Sequence, residues 1–361
     1  MRESSANRRQ RILALVEARG EVRVTALAAE LGVSVITARR DVEELSRVGK
    51  IRRGHGVARS LVPMRPPPTP ERWSGGVVAL VVPERHTYLN EVVHGARVAL
   101  EEASVRVALH PTPHTAGVER PVVRNVLARE SARGLLIAPR WRTADEQEDD
   151  QWLADVDVPV VLMERAPRVG SSLHARDSVC TDHWYGVHLA VEHLMSLGHR
   201  RLVLAARDDS PTARAVRTAF AEICQARPWV QEWAVVLSAP DAGADPTTTF
   251  QEQELVEVMR ERGATGVIMH SDTDALILVQ QLAEAGLTVA RDYSVVAYDD
   301  VVASLGSPPL TAVAPAKTEV GRLAAELLLE RLDRGPASGP ARQVSVLPEL
   351  KVRGSTRNLN V

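Results

Sequence analysis

The stretch that divides this chain is Pro63-Met64-Arg65-Pro66-Pro67-Pro68-Thr69-Pro70. Each proline locks φ and removes an amide donor. The segment therefore sustains neither a helix nor a central strand, and it reads as an extended, semi-rigid polyproline spacer. The expected organisation is a first domain over residues 1–60, a linker over 61–74 and a second domain over 75–357.

The division exposes a charge asymmetry that the net charge of −2 conceals. Residues 1–65 hold 14 Lys and Arg against 7 Asp and Glu, whereas the remainder holds 30 against 39. A basic head on an acidic body points to a polyanion-binding module joined to something else.

To the left of the linker, residues 8–19 place Ile12, Leu15 and Val16 on one helical face. A second helix over 25–31 stops at Gly32, and Ser34 is a good N-cap for a third that runs to about Val48. The expected core face of the third helix is Val35, Ala38, Val42 and Leu45. A hairpin built on Lys50-Ile-Arg-Arg-Gly-His-Gly-Val57 follows. Helix, tight turn, helix and basic hairpin make a winged helix-turn-helix, whose third helix enters the major groove. Ser34, Thr37, Arg39 and Arg40 supply its polar side, and arginine bonds guanine or neutralises phosphate. Arg52, Arg53 and His55 sit where a wing meets backbone phosphates. Asp41 is expected to pair with a nearby arginine rather than to face DNA, because phosphate repels it.

Several residues at fixed spacing resemble the DNA-binding domain of the DeoR family of bacterial regulators. They are Arg11-Ile12, Gly20-Glu-Val22, Leu27-Ala28, Leu31-Gly-Val-Ser34, Thr37, Arg39-Arg40-Asp41 and Arg53-Gly-His-Gly56. The resemblance implies double-stranded operator DNA as a partner.

To the right of the linker, apolar runs of strand length occur at 77–82, 105–109, 134–138, 158–163, 201–205, 234–237, 266–269 and 294–297. Helical patterns alternate with them at 89–102, 118–129, 186–197, 213–226, 250–262, 273–285 and 320–334. This βα alternation predicts parallel, doubly wound sheets. Its length exceeds one ordinary open sheet, so two α/β lobes with a cleft between them are expected.

Four blocks in order resemble the effector domain of the LacI/GalR family, which has the two-lobed fold of periplasmic sugar-binding proteins. They are Val161-Leu-Met-Glu-Arg165, Leu194-Met-Ser-Leu-Gly-His-Arg-Arg201, Ser294-Val-Val-Ala-Tyr-Asp-Asp300 with Pro308-Pro-Leu-Thr311, and Arg353-Gly-Ser-Thr356. The resemblance implies a small-molecule effector, a homodimer or higher homo-oligomer paired through the first lobe, and repression rather than activation. It also implies a hinge helix before the second domain, which Pro66–Pro70 forbid, so ligand-driven closure is expected to act by changing the spacing of two heads.

Ligands of open α/β sheets bind beyond the carboxyl ends of the strands. That rule selects Tyr88, Trp141, Arg165, Asp182, Trp184, Asp208, Arg214, Ser271, Asp272, Tyr298 and Asp299. Four of the chain's 12 aromatic residues fall in these loops. Aromatic platforms edged by Asp and Arg suit a polar, neutral ring, so a sugar is the expected effector. Trp184 and Ser271 stand where the family commonly has arginine and asparagine, which implies an altered sugar specificity.

Other classes have little support. The chain lacks a Gly-x-Gly-x-x-Gly after a strand, a Walker A sequence and a Gly-x-Ser-x-Gly elbow, so no enzyme and no cofactor are expected. The histidines are scattered and the two cysteines, Cys180 and Cys224, build no metal site or disulfide framework. No apolar run approaches a membrane span or a secretory core, so a cytoplasmic protein is expected.

Overall fold

Gly32 ends the second helix because only a residue without a Cβ takes its left-handed conformation (φ 65°) without strain. The turn it makes organises the first of two compact units, Met1–Thr69 and Pro70–Val361. The structure, a computed structural model, describes residues 5–19, 21–54, 56–60, 76–84, 87–113, 115, 117–142, 147, 149–207, 209–238, 252–335 and 339–360.

The first unit runs α1 (Ser5–Arg19), β1 (Glu21–Arg23), α2 (Val24–Leu31), α3 (Val35–Arg47), β2 (Ile51–Arg53) and β3 (Val57–Ser60). The hairpin gains a third strand that periodicity did not reveal, because β1 pairs antiparallel with β3 to give the order β1-β3-β2. Ile12, Val16, Leu27, Ala38, Val42, Leu45 and Ile51 close the core. Val35 departs from expectation and is 40% exposed. At 100° per residue it lies about 70° off the centre of the buried stripe. Asp41 takes the stripe position instead. It is buried and ion-paired to Arg8 of α1 at 2.6 Å and to Arg9 at 3.7 Å, so it fastens α1 to α3.

The second unit begins with the run Val77–Pro83 (β4), buried along nearly its whole length as a central parallel strand requires. Its first lobe continues with α4 (Thr87–Glu102), β5 (Arg106–Thr112), α5 (Glu119–Arg129), β6 (Ala132–Ile137), β7 (Val160–Met163) and β8 (Asp177–Thr181). The chain then enters a second lobe: α6 (His183–Ser196), β9 (Arg201–Arg207), α7 (Pro211–Gln225), β10 (Glu232–Ser238), α8 (Glu252–Glu261), β11 (Gly266–Met269), α9 (Asp272–Glu284), β12 (Ser294–Tyr298) and β13 (Thr311–Ala314). It returns through α10 (Lys317–Arg334) and β14 (Gln343–Val346) to the first lobe, and ends through β15 (Glu349–Lys351) in the second. The sheets have the orders β14-β8-β7-β6-β4-β5 and β10-β9-β11-β12-β13-β15, parallel except where β15 meets β13. Three crossings therefore join the lobes, after β8, β13 and β14.

Each expected strand stretch of this unit overlaps a strand, although 105–109 and 158–163 begin before β5 and β7, and 134–138 ends one residue past β6. β8 escaped notice because Asp177-Ser-Val-Cys-Thr181 is not a continuous apolar run. Its polar side chains are buried because partners elsewhere satisfy them. Arg331 of α10 grips Asp177 in a two-point ion pair (2.6 and 2.8 Å), and the Arg342 amide adds a bond of 2.7 Å. α10 crosses α4 backbone to backbone. A Cβ at Gly95 would overlap the Thr318 carbonyl, and one at Gly321 would overlap the Val92 carbonyl.

Candidate functional site

In the first unit, α3 presents one candidate surface. Ser34 is its N-cap and accepts from the Thr37 amide (3.1 Å), while the two hydroxyls bond each other (2.9 Å). Both hydroxyls are thus engaged in holding the helix start. Arg39, Arg40 and Arg52 are exposed, and among the described residues none of them forms an ion pair or hydrogen bond. Arg47 is held by Glu44 at 2.7 Å. His55 lies outside the described residues, as does the Arg53 side chain.

In the second unit, the carboxyl ends of the two parallel sheets bring most of the expected cleft residues together, in roles that differ from those expected. Glu164, at the end of β7 with φ 51°, is the hub. Its carboxyl accepts from the Tyr88 hydroxyl (2.8 Å) and the Thr181 hydroxyl (2.6 Å). His183 lies 3.8 Å from it and bonds the Tyr298 hydroxyl at 3.1 Å. Burial depresses the His183 pKa, so its imidazole favours the neutral form. This chain of side chains runs from α4 through β7 and β8 into the second lobe. Neither Glu164 nor His183 was among the residues chosen from the sequence. Glu164 stood beside the chosen Arg165, and only its strained backbone and remote partners mark it.

Three of the expected aromatic platforms are internal. Trp141 is 1% exposed, and its indole N–H donates to Asp150 (2.8 Å). Tyr298 lies in the core of the second lobe, and Tyr88 is buried against Glu164. Trp184 is 46% exposed, but it stacks on His188 and donates to Glu222 of α7 (3.2 Å). Glu222 is eight residues further along α7 than Arg214, about 12 Å, so the Trp184 ring leans away from the cleft end of that helix. The expected aromatic stacking surface is therefore corrected. These rings are large and apolar, and burial in cores and grooves takes precedence over display.

The charged residues divide similarly. Arg165 is buried and donates to the carbonyls of Pro139 (2.5 Å) and Glu164 (2.7 Å); burial pulls its pKa down to about 10. Asp182 caps α6 through the Tyr185 amide at 2.9 Å. Asp272 accepts three backbone amides, those of Val301 (2.5 Å), Val302 (2.6 Å) and Ala303 (3.1 Å), and so organises the turn after β12. Ser271 caps α9 with a long bond of 3.4 Å. Arg214 bridges the lobes by donating to the carbonyls of Trp141 (2.8 Å) and Arg142 (2.6 Å). Arg142 in turn pairs across the lobes with Asp209, which Arg207 also holds (2.9 Å). Asp208 lies outside the described residues.

Asp299 is the exception. It follows β12 at φ 88°, and its carboxyl makes no hydrogen bond or ion pair among the described residues. Burial, with Asp272 adding repulsion, pushes its pKa up to about 8. Lys317 donates to its backbone carbonyl (2.6 Å) and not to its side chain. A half-buried, strained, unsatisfied carboxyl at a strand's carboxyl end is a ready partner for a ligand's N–H or O–H.

Comparison with known proteins agrees with both halves. Residues 8–63 match the DeoR-like helix-turn-helix domain, and residues 191–356 match the periplasmic binding protein-like domain. The chain joins a DeoR-like head to a periplasmic binding protein-like domain. Its curated relatives include the transcriptional repressor PurR of Glaesserella parasuis, 32% identical over 215 residues. That match covers 56% of this chain and 59% of the relative, so it spans less than two thirds of that protein. The PurR repressor of Haemophilus influenzae is 28% identical over 295 residues, covering 78% of this chain and 81% of the relative. Among solved structures, the lac repressor dimer bound to operator and the anti-inducer ONPF superposes with a TM-score of 0.65 at 22% identity. It covers 78% of this chain and 94% of that one, and at this identity the likeness concerns the fold.

Proposed function

We propose that the protein is a DNA-binding transcriptional repressor whose hold on its operator is set by a small polar ligand bound between the two lobes of its binding-protein-like domain. The observation that carries this reading is the pairing, in one chain, of uncommitted guanidinium groups on the DeoR-like head with an uncommitted carboxyl, Asp299, where the sheets of the other domain end. Two PurR repressors among the relatives support it. In this reading Arg39, Arg40 and Arg52 meet DNA, with Arg53 and His55 on the wing. Asp299 and Ser271 meet the ligand, while Tyr88, Glu164, Arg165, Asp182 and Arg214 hold the walls of the site. The protein acts as a homodimer in the cytoplasm, and lobe closure changes the spacing of its two heads. No helix among the described residues is long and apolar enough to cross a membrane.

A sugar remains the first effector reading, because hydroxyls donate to a carboxyl such as Asp299. A purine base or nucleoside is the second, favoured by the PurR relatives and by the same donor requirement. A thermal-shift screen against sugars, sugar phosphates, purines and nucleosides separates them. A ligand at 100 times its Kd stabilises the native state by about 2.7 kcal/mol. The Asp299→Ala variant should lose the shift and keep its DNA affinity. A shift retained in that variant would refute the assignment of Asp299.

A further inference from the structure

The face of α3 that points away from the head's core is not uniformly polar. Ala38, Asp41, Val42 and Leu45 are buried. At 100° per residue, the line diametrically opposite them is Ile36, Arg40, Glu43 and Arg47, all exposed. Ile36 begins that ridge and is 73% exposed, with Val35 beside it at 40%. An isoleucine in this position contributes nothing to the core, and its apolar surface remains in water while the head is free. Exposed isoleucines occur singly on many surfaces. This one lies one turn before Arg40 on the same line, and Arg39, next to Arg40, is exposed as well.

The N-terminal turn of a recognition helix comes closest to the base edges. A short branched side chain touches only what the helix axis itself approaches, so the first turn is where an isoleucine reaches a base. The hydroxyls of Ser34 and Thr37 are engaged with each other and with the helix start, which leaves the apolar pair as the distinctive chemistry of that turn. The apolar group in the major groove is the thymine C5-methyl. We infer that Ile36 is a specificity-determining residue that packs on a thymine methyl in each half-site, next to the base contacted by Arg40. This deepens the DNA-binding reading and rests on it.

The test uses the full-length protein. Selection from a random duplex library yields its preferred site. Each thymine of that site is then replaced in turn by uracil, which lacks only the methyl group, and affinity is measured by fluorescence anisotropy at one salt concentration. At one thymine per half-site, uracil should weaken wild-type binding roughly fourfold, the worth of one buried methyl. Ile36→Ala should bind the thymine site about as weakly and should no longer distinguish uracil. The exposed position and the helix propensity of alanine keep that variant folded. Equal uracil penalties in both proteins, or no penalty at any thymine, would overturn the inference while leaving DNA binding intact. Failure to enrich any sequence would overturn the DNA-binding reading, and this inference with it.

Discussion

The guanidinium of Arg214 donates to the carbonyl of Trp141 at 2.8 Å, tying the first turns of a helix in one lobe to the loop after a strand in the other. Arg214 adds a second bond to the Arg142 carbonyl, and the Arg142 side chain pairs with Asp209, so the two arginines together hold the lobes at the mouth of the cleft. Arg214→Ala should open the cleft. Small-angle scattering of the ligand-free variant is expected to show a larger radius of gyration than wild type, with stability lower by about 1.5–3 kcal/mol for each hydrogen bond from the charged donor. An unchanged scattering profile would show that the bridge does not set the lobe arrangement.

Asp299 makes stability depend on pH. Its pKa rises from 3.8 to about 8 on folding, so the folded state keeps a proton that the unfolded chain releases. Its contribution is complete below pH 4 and declines as pH rises toward 8, with a slope of at most about 1.4 kcal/mol per pH unit. Asp274, also pushed upward by burial, acts with the same sign, whereas the depressed His183 removes stability as pH falls below about 6.5. The informative quantity is the difference between wild type and Asp299→Asn. Denaturant melts from pH 5 to 8 should show the variant gaining on wild type as pH rises. Parallel curves would contradict the assigned burial of this carboxyl.

The Asp177–Arg331 pair is buried and bonded at two points. Removing one partner leaves the other's charge uncompensated, which costs about 3–5 kcal/mol in comparable pairs. Asp177→Ala should show this loss in urea melts. Replacing both residues with apolar ones should recover part of it.

Gly321 allows α10 to touch α4 along their backbones. Gly321→Ala places a methyl on the Val92 carbonyl and should destabilise the first lobe by roughly 1–3 kcal/mol or more, the range for overpacking. DNA affinity of the folded fraction should not change. A Tm equal to wild type would mean that the helices separate at little cost.

Arg40 is expected to contribute binding energy to DNA alone. Arg40→Ala should weaken operator binding by about 1–3 kcal/mol if the residue reads a base edge, and should leave the ligand-induced thermal shift as it was. Equal weakening on all sequences, with a shallower salt dependence, would reassign Arg40 to a phosphate.

The sequence by itself determined the helices of the head and the βα alternation of the second unit. Those features depend on local physics: glycine's left-handed turn at 32 and apolar periodicity. It also picked out candidate residues at the strand ends. Tertiary structure alone decided what each of those residues does. Tyr88 and Glu164 are 76 residues apart in sequence, and His183 and Tyr298 are 115 apart, yet each pair shares a hydrogen bond. Trp141 looked like a platform until Asp150 and a core closed around it, and Asp272 looked like a ligand contact until three amides converged on it. Whether a polar group is free for a ligand depends on which distant partners folding brings within 3 Å of it, and no local pattern encodes that. Asp299 was chosen together with its neighbours, and only the fold left its carboxyl without a partner among the described residues.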